Sequence, residues 1–270
     1  MRDGALDRLA KYLGESRRIL IFTGAGISTG SGIPDFRGPN GIWTRRKPVY
    51  YEEFMSSEPA RIRHWEYKLE TWPALRAAQP NSIHYAIAKL EKAGIVAAVL
   101  TQNIDGLHAR AGSHPETLVE LHGTNLLIEC QTCGWRGDPE PHFEQFRLHH
   151  KPPLCSCGGF LKPATISFGQ ALAQETLMRA SKATDEADLV VALGSTLSVY
   201  PAASFPLAAA KKGVPYVIIN RGPTDHDSER CVSLRMEGEI AEIFPPAVEE
   251  ALDKFGLCEK STEATWKFSP

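Results

Sequence analysis

RRILIFTGAGISTGSGIPDFRG, residues 17 to 38, is the stretch on which the fold turns. Its first part, residues 17–23, becomes continuously apolar after two arginines and runs straight into glycine. A strand without polar alternation is one buried on both faces, the habit of parallel sheets covered by helices. Glycines 24, 26, 30 and 32 follow. They let backbone approach a ligand and lead into an expected helix N-terminus, where phosphate is stabilised. The pattern departs from G-x-G-x-x-G, because Thr29 stands in the third glycine's place. Glycines alone would also suit a tight turn with no ligand. The residues after them argue further: Pro34-Asp35-Phe36-Arg37 sets a carboxylate, an aromatic ring and a guanidinium beside the turn, and Trp43 adds a second ring. The ribose and nicotinamide of a dinucleotide call for that set; a structural turn does not.

Similar apolar runs recur at residues 95–101, 117–121, 188–193 and 215–220. Between them lie helix-like segments at 82–93, with Ile83, Ala86, Ile87 and Leu90 on one face, at 174–183 and at 202–212. Leu6, Leu9, Ala10 and Leu13 mark an amphipathic helix near the start. Alternating strand and helix points to an α/β fold with a doubly wound parallel sheet, Rossmann-like.

Two insertions break the rhythm. Residues 38–80 hold Trp43, Trp65 and Trp72, prolines and charges, but no strand-like run, and read as a helical module with an entry loop. Residues 126–162 hold Cys130 and Cys133 as C-x2-C, and Cys155 and Cys157 as C-x-C. In a reducing compartment two such pairs, each on a glycine-containing turn, read as a four-thiolate zinc site. Four thiolates leave no open coordination position, so this zinc should organise a lobe and perform no chemistry. Cys231 and Cys258 lack partners at ligand spacing. The expected organisation is a nucleotide-binding domain from residues 1–37, 81–125 and 163–260, a helical insertion at 38–80, a zinc-binding module at 126–162 and a tail at 261–270. The two insertions together would form a small lobe.

The 270 residues are 43% apolar and 23% charged, an ordinary globular balance with a net charge of −2. That balance gives no global field for nucleic acid or anionic membrane. The longest apolar run, residues 93–100, falls far below the ~18 residues a membrane span needs. With no secretory signal read at the start, a cytoplasmic protein is expected.

Two further clusters sit at strand ends, where open α/β sheets bind ligands. One is Thr101-Gln102-Asn103-Ile104-Asp105-Gly106-Leu107-His108. The other is Glu120-Leu121-His122-Gly123, in which His122 is the candidate general base because imidazole titrates near neutral pH. A satisfied structural histidine is the plainer reading of His122 taken alone. His142, His149 and His150 read as solvated, and His108 as packing or capping beside its loop.

GAGISTGSGIPDFRG, TQNIDGLH, LHG, the paired cysteines, KPATISFGQ, LGSTLSVYPA and the Ile-Asn at 219–220 occur in the order found in sirtuins. The chain resembles that family of NAD-dependent protein lysine deacylases from about residue 18 to residue 245. The resemblance implies roles residue by residue. Gly24, Ala25, Gly26, Asp35, Phe36, Arg37 and Trp43 match the cofactor-binding loop. Gln102, Asn103, Ile104 and Asp105 match the segment that contacts the nicotinamide ribose and the carboxamide pocket. Gly194, Ser195 and Thr196 match a second phosphate and ribose contact, Asn220 with Arg221 the adenosine ribose, and Ile240 an adenine contact. His122 matches the catalytic base, with Asn103 the other catalytic residue. Ile166, Phe168 and Gly169 match the acyl-lysine channel, where a substrate peptide adds as a strand between the lobes.

The implied reaction uses NAD as co-substrate, with zinc purely structural. The substrate amide oxygen attacks the ribose C1′ as nicotinamide leaves, giving an alkylimidate. His122 then removes a proton through the ribose diol, and O-acyl-ADP-ribose is the product. Phe36 would shield the cationic centre from water. Acylated proteins or peptides are the expected partners, with no membrane and no nucleic acid; the oligomeric state stays open.

The chain departs from the family at three places. Gln170 stands where Glu usually follows Phe-Gly, and the second cysteine pair is C-x-C. Acidic-acyl specialists carry Tyr-x-x-Arg in the helical insertion, whereas here Tyr67 is followed three residues on by Glu70. A carboxylate there would repel an acidic acyl group, so neutral chains such as acetyl are expected. Mono-ADP-ribosyl transfer, a non-catalytic NAD sensor and a zinc ribbon on nucleic acid are the competing readings. His122, Asn103 and Asp105 weigh against the sensor, and the missing basic patch weighs against the last.

Overall fold

The computed structural model describes residues 2–35, 41–42 and 46–257. The expectations for Phe36, Arg37, Trp43, Cys258 and the 261–270 tail lie outside the described residues. In chain order the elements are α1 (Arg2–Glu15), β1 (Ile19–Thr23), 3-10 turns at Ala25–Ile27 and Thr29–Ser31, α2 (Tyr51–Ser56), α3 (Glu58–Ala77), α4 (Ser82–Lys92), β2 (Val96–Thr101), α5 (Leu107–Arg110) and β3 (Leu118–Glu120). The small-lobe elements follow: β4 (Gly123–Cys130), β5 (Arg136–Gly137), α6 (Pro139–His149) and β6 (Leu161–Thr165). The chain then returns through α7 (Gln174–Glu186), β7 (Leu189–Leu193), α8 (Ser204–Lys211), β8 (Tyr216–Asn220), β9 (Leu234–Glu237) and α9 (Ile240–Lys254).

Among the described residues, six strands form one parallel sheet in the order β3-β2-β1-β7-β8-β9. With the small-lobe strands set aside this is 3-2-1-4-5-6, the doubly wound order, whose direction reverses between β1 and β7. The unbroken apolar runs follow from burial on both faces. Ile19 and Ile21 of β1 face a core shared with α1, α4 and α9, while Leu20 and Phe22 face one shared with α7 and α8. The strand expected from residue 17 begins at Ile19, because the Arg17 and Arg18 N–H groups donate to the Asp188 carboxylate instead of to a ladder.

The second lobe is built from both insertions. β5, β4 and β6 make an antiparallel sheet. Trp65, Trp72 and Leu75 of α3 pack on Ile128, Phe143, Phe146 and Leu161. Trp65 also donates from its ring nitrogen to the Leu161 carbonyl at 3.1 Å. No helix among the described residues is long and apolar enough to cross a membrane.

Candidate active site

The crevice forms where β1 and β7 part. The loop after β1 crosses the loop after β7 with no room for side chains. A Cβ on Gly24 would lie 2.6 Å from the Gly194 carbonyl oxygen, and one on Gly194 would lie 2.6 Å from the Ile27 nitrogen. The Gly26 N–H donates to the Gly194 oxygen at 2.9 Å, and the Gly24 N–H to Leu193 at 3.0 Å. Gly194 also holds φ +62°, a conformation side chains disfavour. These glycines therefore serve loop-on-loop contact. The helix N-terminus expected after the turn is absent: two 3-10 turns, Ala25–Ile27 and Thr29–Ser31, stand there.

Behind this crossing lies a buried polar chain. Asn103 donates its amide to Ser28 Oγ at 3.1 Å, and Ser28 donates to Asp105 Oδ2 at 2.8 Å. Asp105 Oδ1 accepts the Leu107 N–H at 2.9 Å. Burial raises the Asp105 carboxyl, and the Leu107 and Ser28 donors pull it back down. Burial, with the neighbouring Asp105 charge, lifts Glu120 to about 7. Ser28 is fully buried and links two expected cofactor residues, yet sequence reasoning passed over it. Its only signal was its place inside GAGIS.

His122 is held by its Nδ1, which lies 3.1 Å from the Gln102 carbonyl. A carbonyl only accepts, so Nδ1 carries the proton and Nε2 is left with the lone pair. The same Gln102 donates through its amide to Ser195 Oγ at 2.7 Å and through its N–H to the Thr23 carbonyl. One residue thus ties the expected base to both crevice loops. Ile166 reaches His122 from β6, its N–H donating to the His122 carbonyl at 2.8 Å. Phe168 accepts the Tyr51 N–H at its carbonyl and lies 5.8 Å from the Tyr50 ring. Gly169 turns with φ +82°, and Gln170 caps that turn, its Oε1 accepting the Ser167 N–H at 3.1 Å.

The remaining expected residues sit at the same sheet edge or near it. Ala25 opens the first 3-10 turn, and the Asp35 carbonyl accepts the Ile42 N–H. Thr196 bonds Ser198, while the buried Asn220 amide donates to the Arg221 and Gly222 carbonyls. Arg221 extends outward to Glu239 at 2.8 Å. Ile240 heads α9 with 6% exposure, packed in the core. His149 and His150 are exposed as expected. His142 is not simply solvated: its Nδ1 is buried without a partner. His108 packs, fully buried, with Nε2 3.0 Å from Thr23 Oγ1. Glu70 lies at the surface, its side chain 63% exposed and paired with Arg46. It therefore does not direct a charge into a channel.

The four cysteines converge. Their sulfurs all lie within 4.8 Å of one another, with Cys130 to Cys157 at 3.5 Å and Cys133 to Cys155 at 3.8 Å. A tetrahedron with zinc–sulfur bonds of about 2.3 Å has edges of about 3.8 Å, so the donor set fits one zinc ion. The Thr132 and Cys133 N–H groups point at Cys130 Sγ, at 3.4 and 3.5 Å, as a thiolate ligand requires.

A family model described as the Sir2 family matches residues 24–201. The chain belongs to the Sir2 family. It is 41% identical over 248 residues to a protein of Bradyrhizobium diazoefficiens named NAD-dependent protein deacetylase 1, covering 92% of this chain and 96% of that one. It is 39% identical to NAD-dependent protein deacylase 2 of Archaeoglobus fulgidus, over 90% of this chain and 94% of that one. A solved Sir2 structure with a p53 peptide and NAD+ superposes with a TM-score of 0.80 at 35% identity, covering 94% of this chain and 99% of that one. In this Sir2 protein, the shared order of motifs is thus matched by a shared fold over nearly its whole length.

Proposed function

We infer that this Sir2 protein is an NAD-dependent protein lysine deacetylase. It transfers acetyl groups from lysine side chains to the ADP-ribose part of NAD and releases nicotinamide. The observation that carries this reading is His122, held in one tautomer by the Gln102 carbonyl at the crevice where the Gly24 and Gly194 loops cross. The Sir2 structure solved with peptide and NAD+ supports peptide binding by the same fold.

NAD supplies an electrophilic anomeric carbon with nicotinamide as leaving group, and a ribose diol to receive the acyl group. The chain's residues divide the remaining work. Asp105, Ile104 and Asn103 would hold the nicotinamide end, with Ser28 fixing the two polar side chains. Gln102 and Ser195 would meet the ribose, and Gly194 and Thr196 the phosphates. His122 Nε2 would take a proton from the diol, activating a hydroxyl toward the acyl carbon. A base so placed contributes about 10²–10⁴-fold. His122 would then return that proton to the lysine nitrogen, so that the amine can depart before water adds to the acyl carbon. Ile166, Phe168 and Gly169 would line the path of the acyl-lysine. The four cysteines would hold zinc, which keeps the small lobe folded and touches no substrate. Four thiolates also suit a reducing compartment, and we place the protein in the cytoplasm on that ground.

Incubating the protein with NAD and an acetyl-lysine peptide tests the reading. Deacetylated peptide, nicotinamide and O-acetyl-ADP-ribose should form in equal amounts. Acetylated peptide left intact while NAD is consumed would contradict it.

A further inference from the structure

Arg235 stands in β9, the edge strand of the parallel sheet, half-buried and bonded through all three of its nitrogens. Nε donates to Asp227 Oδ1 at 2.7 Å. Nη1 donates to the Asn220 carbonyl at 3.1 Å and the Met236 carbonyl at 2.6 Å, and Nη2 to the Gly222 carbonyl at 2.6 Å. All of these acceptors except Met236 lie on the segment that follows β8, residues 220–227. Asp227 closes that segment on itself, accepting the Thr224 hydroxyl at 2.6 Å and the Thr224 N–H at 3.0 Å. A loop has no ladder to take up its carbonyls, and a planar guanidinium with fixed donors gathers several of them at once. The Gly222 carbonyl also accepts the Asn220 side-chain amide at 3.1 Å, and the Arg221 carbonyl accepts it at 3.2 Å. The oxygen that Arg235 holds therefore helps to set which way Asn220 points, with Oδ1 the atom left to accept a ribose hydroxyl.

The far side of this loop reaches the loop after β7. The Asp225 N–H donates to the Thr196 carbonyl at 2.9 Å. His226, 1% exposed, stands between two tyrosines: its Nδ1 is 3.0 Å from Tyr216 Oη of β8, and its Nε2 is 3.4 Å from Tyr200 Oη beyond β7. Both loops stand at the carboxyl edge of the sheet, where a dinucleotide lies in this fold. The first carries Gly194 and Thr196, which would meet the phosphates. The second begins at Asn220, which would meet the adenosine ribose. A ligand that spans two loops binds best when their separation is fixed beforehand, because the cost of ordering them is then already met.

We propose that Arg235 is a positioning residue for NAD. It touches no part of the cofactor. Through the Asn220 and Gly222 carbonyls and the Asp227 carboxylate it fixes the ribose loop against the phosphate loop. A lysine ammonium is a point charge and cannot fork to a carboxylate and two loop carbonyls together, so the charge alone does not suffice. The proposal rests on the NAD-dependent reading given above.

The test uses three variants. R235M keeps the apolar stem without the donors, R235K keeps the charge without the fork, and D227N removes the charge at the other end. Steady-state kinetics give KM for NAD, KM for the acetyl-lysine peptide and kcat, and calorimetry gives Kd for ADP-ribose without turnover. In R235M, KM for NAD and Kd for ADP-ribose should rise by about tenfold, the scale of a lost charge-assisted bond, with kcat and the peptide KM little changed. R235K and D227N should show smaller rises in the same two quantities. An arginine that served stability alone would lower the melting temperature and the active fraction, hence kcat, and leave KM for NAD where it was. Wild-type KM and Kd in folded R235M would overturn the proposal, as would a peptide KM that rises in step with that for NAD. Where R235M does not fold, R235K and D227N decide by the same measures, and unchanged values in both overturn it. If the wild type binds ADP-ribose and no variant differs, only the role of Arg235 fails; a wild type that binds no ADP-ribose overturns the NAD reading and the proposal with it.

Discussion

His122 and Gln102 make the smallest unit in which structure bears on chemistry. The Gln102 carbonyl accepts from Nδ1, which leaves Nε2 as the basic atom. Changing His122 to Ala should therefore cut deacetylation by about 10²-fold or more, with melting temperature and zinc content little changed. A folded variant retaining over about a tenth of the wild-type rate would remove His122 from the role. His84 and His108 lie deeper, their rings 5.1 Å apart. Burial holds His84 down at about 4, and burial with His84 beside it holds His108 at about 3. Both bind protons more readily when unfolded, so their contribution is full above pH ~6.5 and is lost as pH falls toward their folded values. Glu120, raised to about 7, acts in the opposite sense, gaining stability as pH falls from there toward ~4.3. The raw pH curve mixes the two effects, and a variant separates them. His84→Gln should reduce the loss of unfolding free energy between pH 6.5 and 4.5 by on the order of a few kcal/mol, read from denaturant unfolding at the two pH values. A slope identical to that of the wild type would show that the buried pair does not govern acid stability.

At the scale of elements, two joints hold the crevice in shape. The loops after β1 and β7 interlock through Gly24, Gly26 and Gly194, so Gly194→Ala should destabilise the protein by about 1–2 kcal/mol or more. It should also weaken NAD binding by spreading the loops. A variant with wild-type melting temperature and NAD affinity would contradict the interlock. The cysteine cluster is the second joint. Chelation, or Cys130→Ser, should lower zinc content below about one ion per chain and reduce the melting temperature, with activity lost indirectly. A zinc-free, active protein of unchanged stability would rule this out. Elements of this kind were legible to different degrees. β1, β7 and β8 stood out because burial on both faces leaves no polar alternation, and the zinc ligands because their spacing is itself the chemistry. β9 was missed: LRME is a short strand at the sheet edge, with half-buried Arg235 and exposed Glu237 breaking the apolar run. α9 was hidden by Pro245 and Pro246 inside it. Ser28 was illegible for another reason. Its meaning lies in a partner 77 residues away, Asp105, that no local pattern connects.

Across the whole molecule, the doubly wound sheet and the small lobe meet along the line from Gln102 through His122 to Ile166. The strand order reverses beside that line, which is where a dinucleotide lies in such sheets. A peptide between the lobes would bring its acyl-lysine to the same place. The proposed reaction requires strict coupling between the two substrates, NAD and acyl-lysine. Mass spectrometry of the products from acetyl-lysine peptide, with and without NAD, measures that coupling directly. It should show deacetylation only with NAD, and one O-acetyl-ADP-ribose and one nicotinamide for each acetyl group removed. Free acetate formed without NAD, or ADP-ribose attached to the peptide with its acetyl group still in place, would contradict the account.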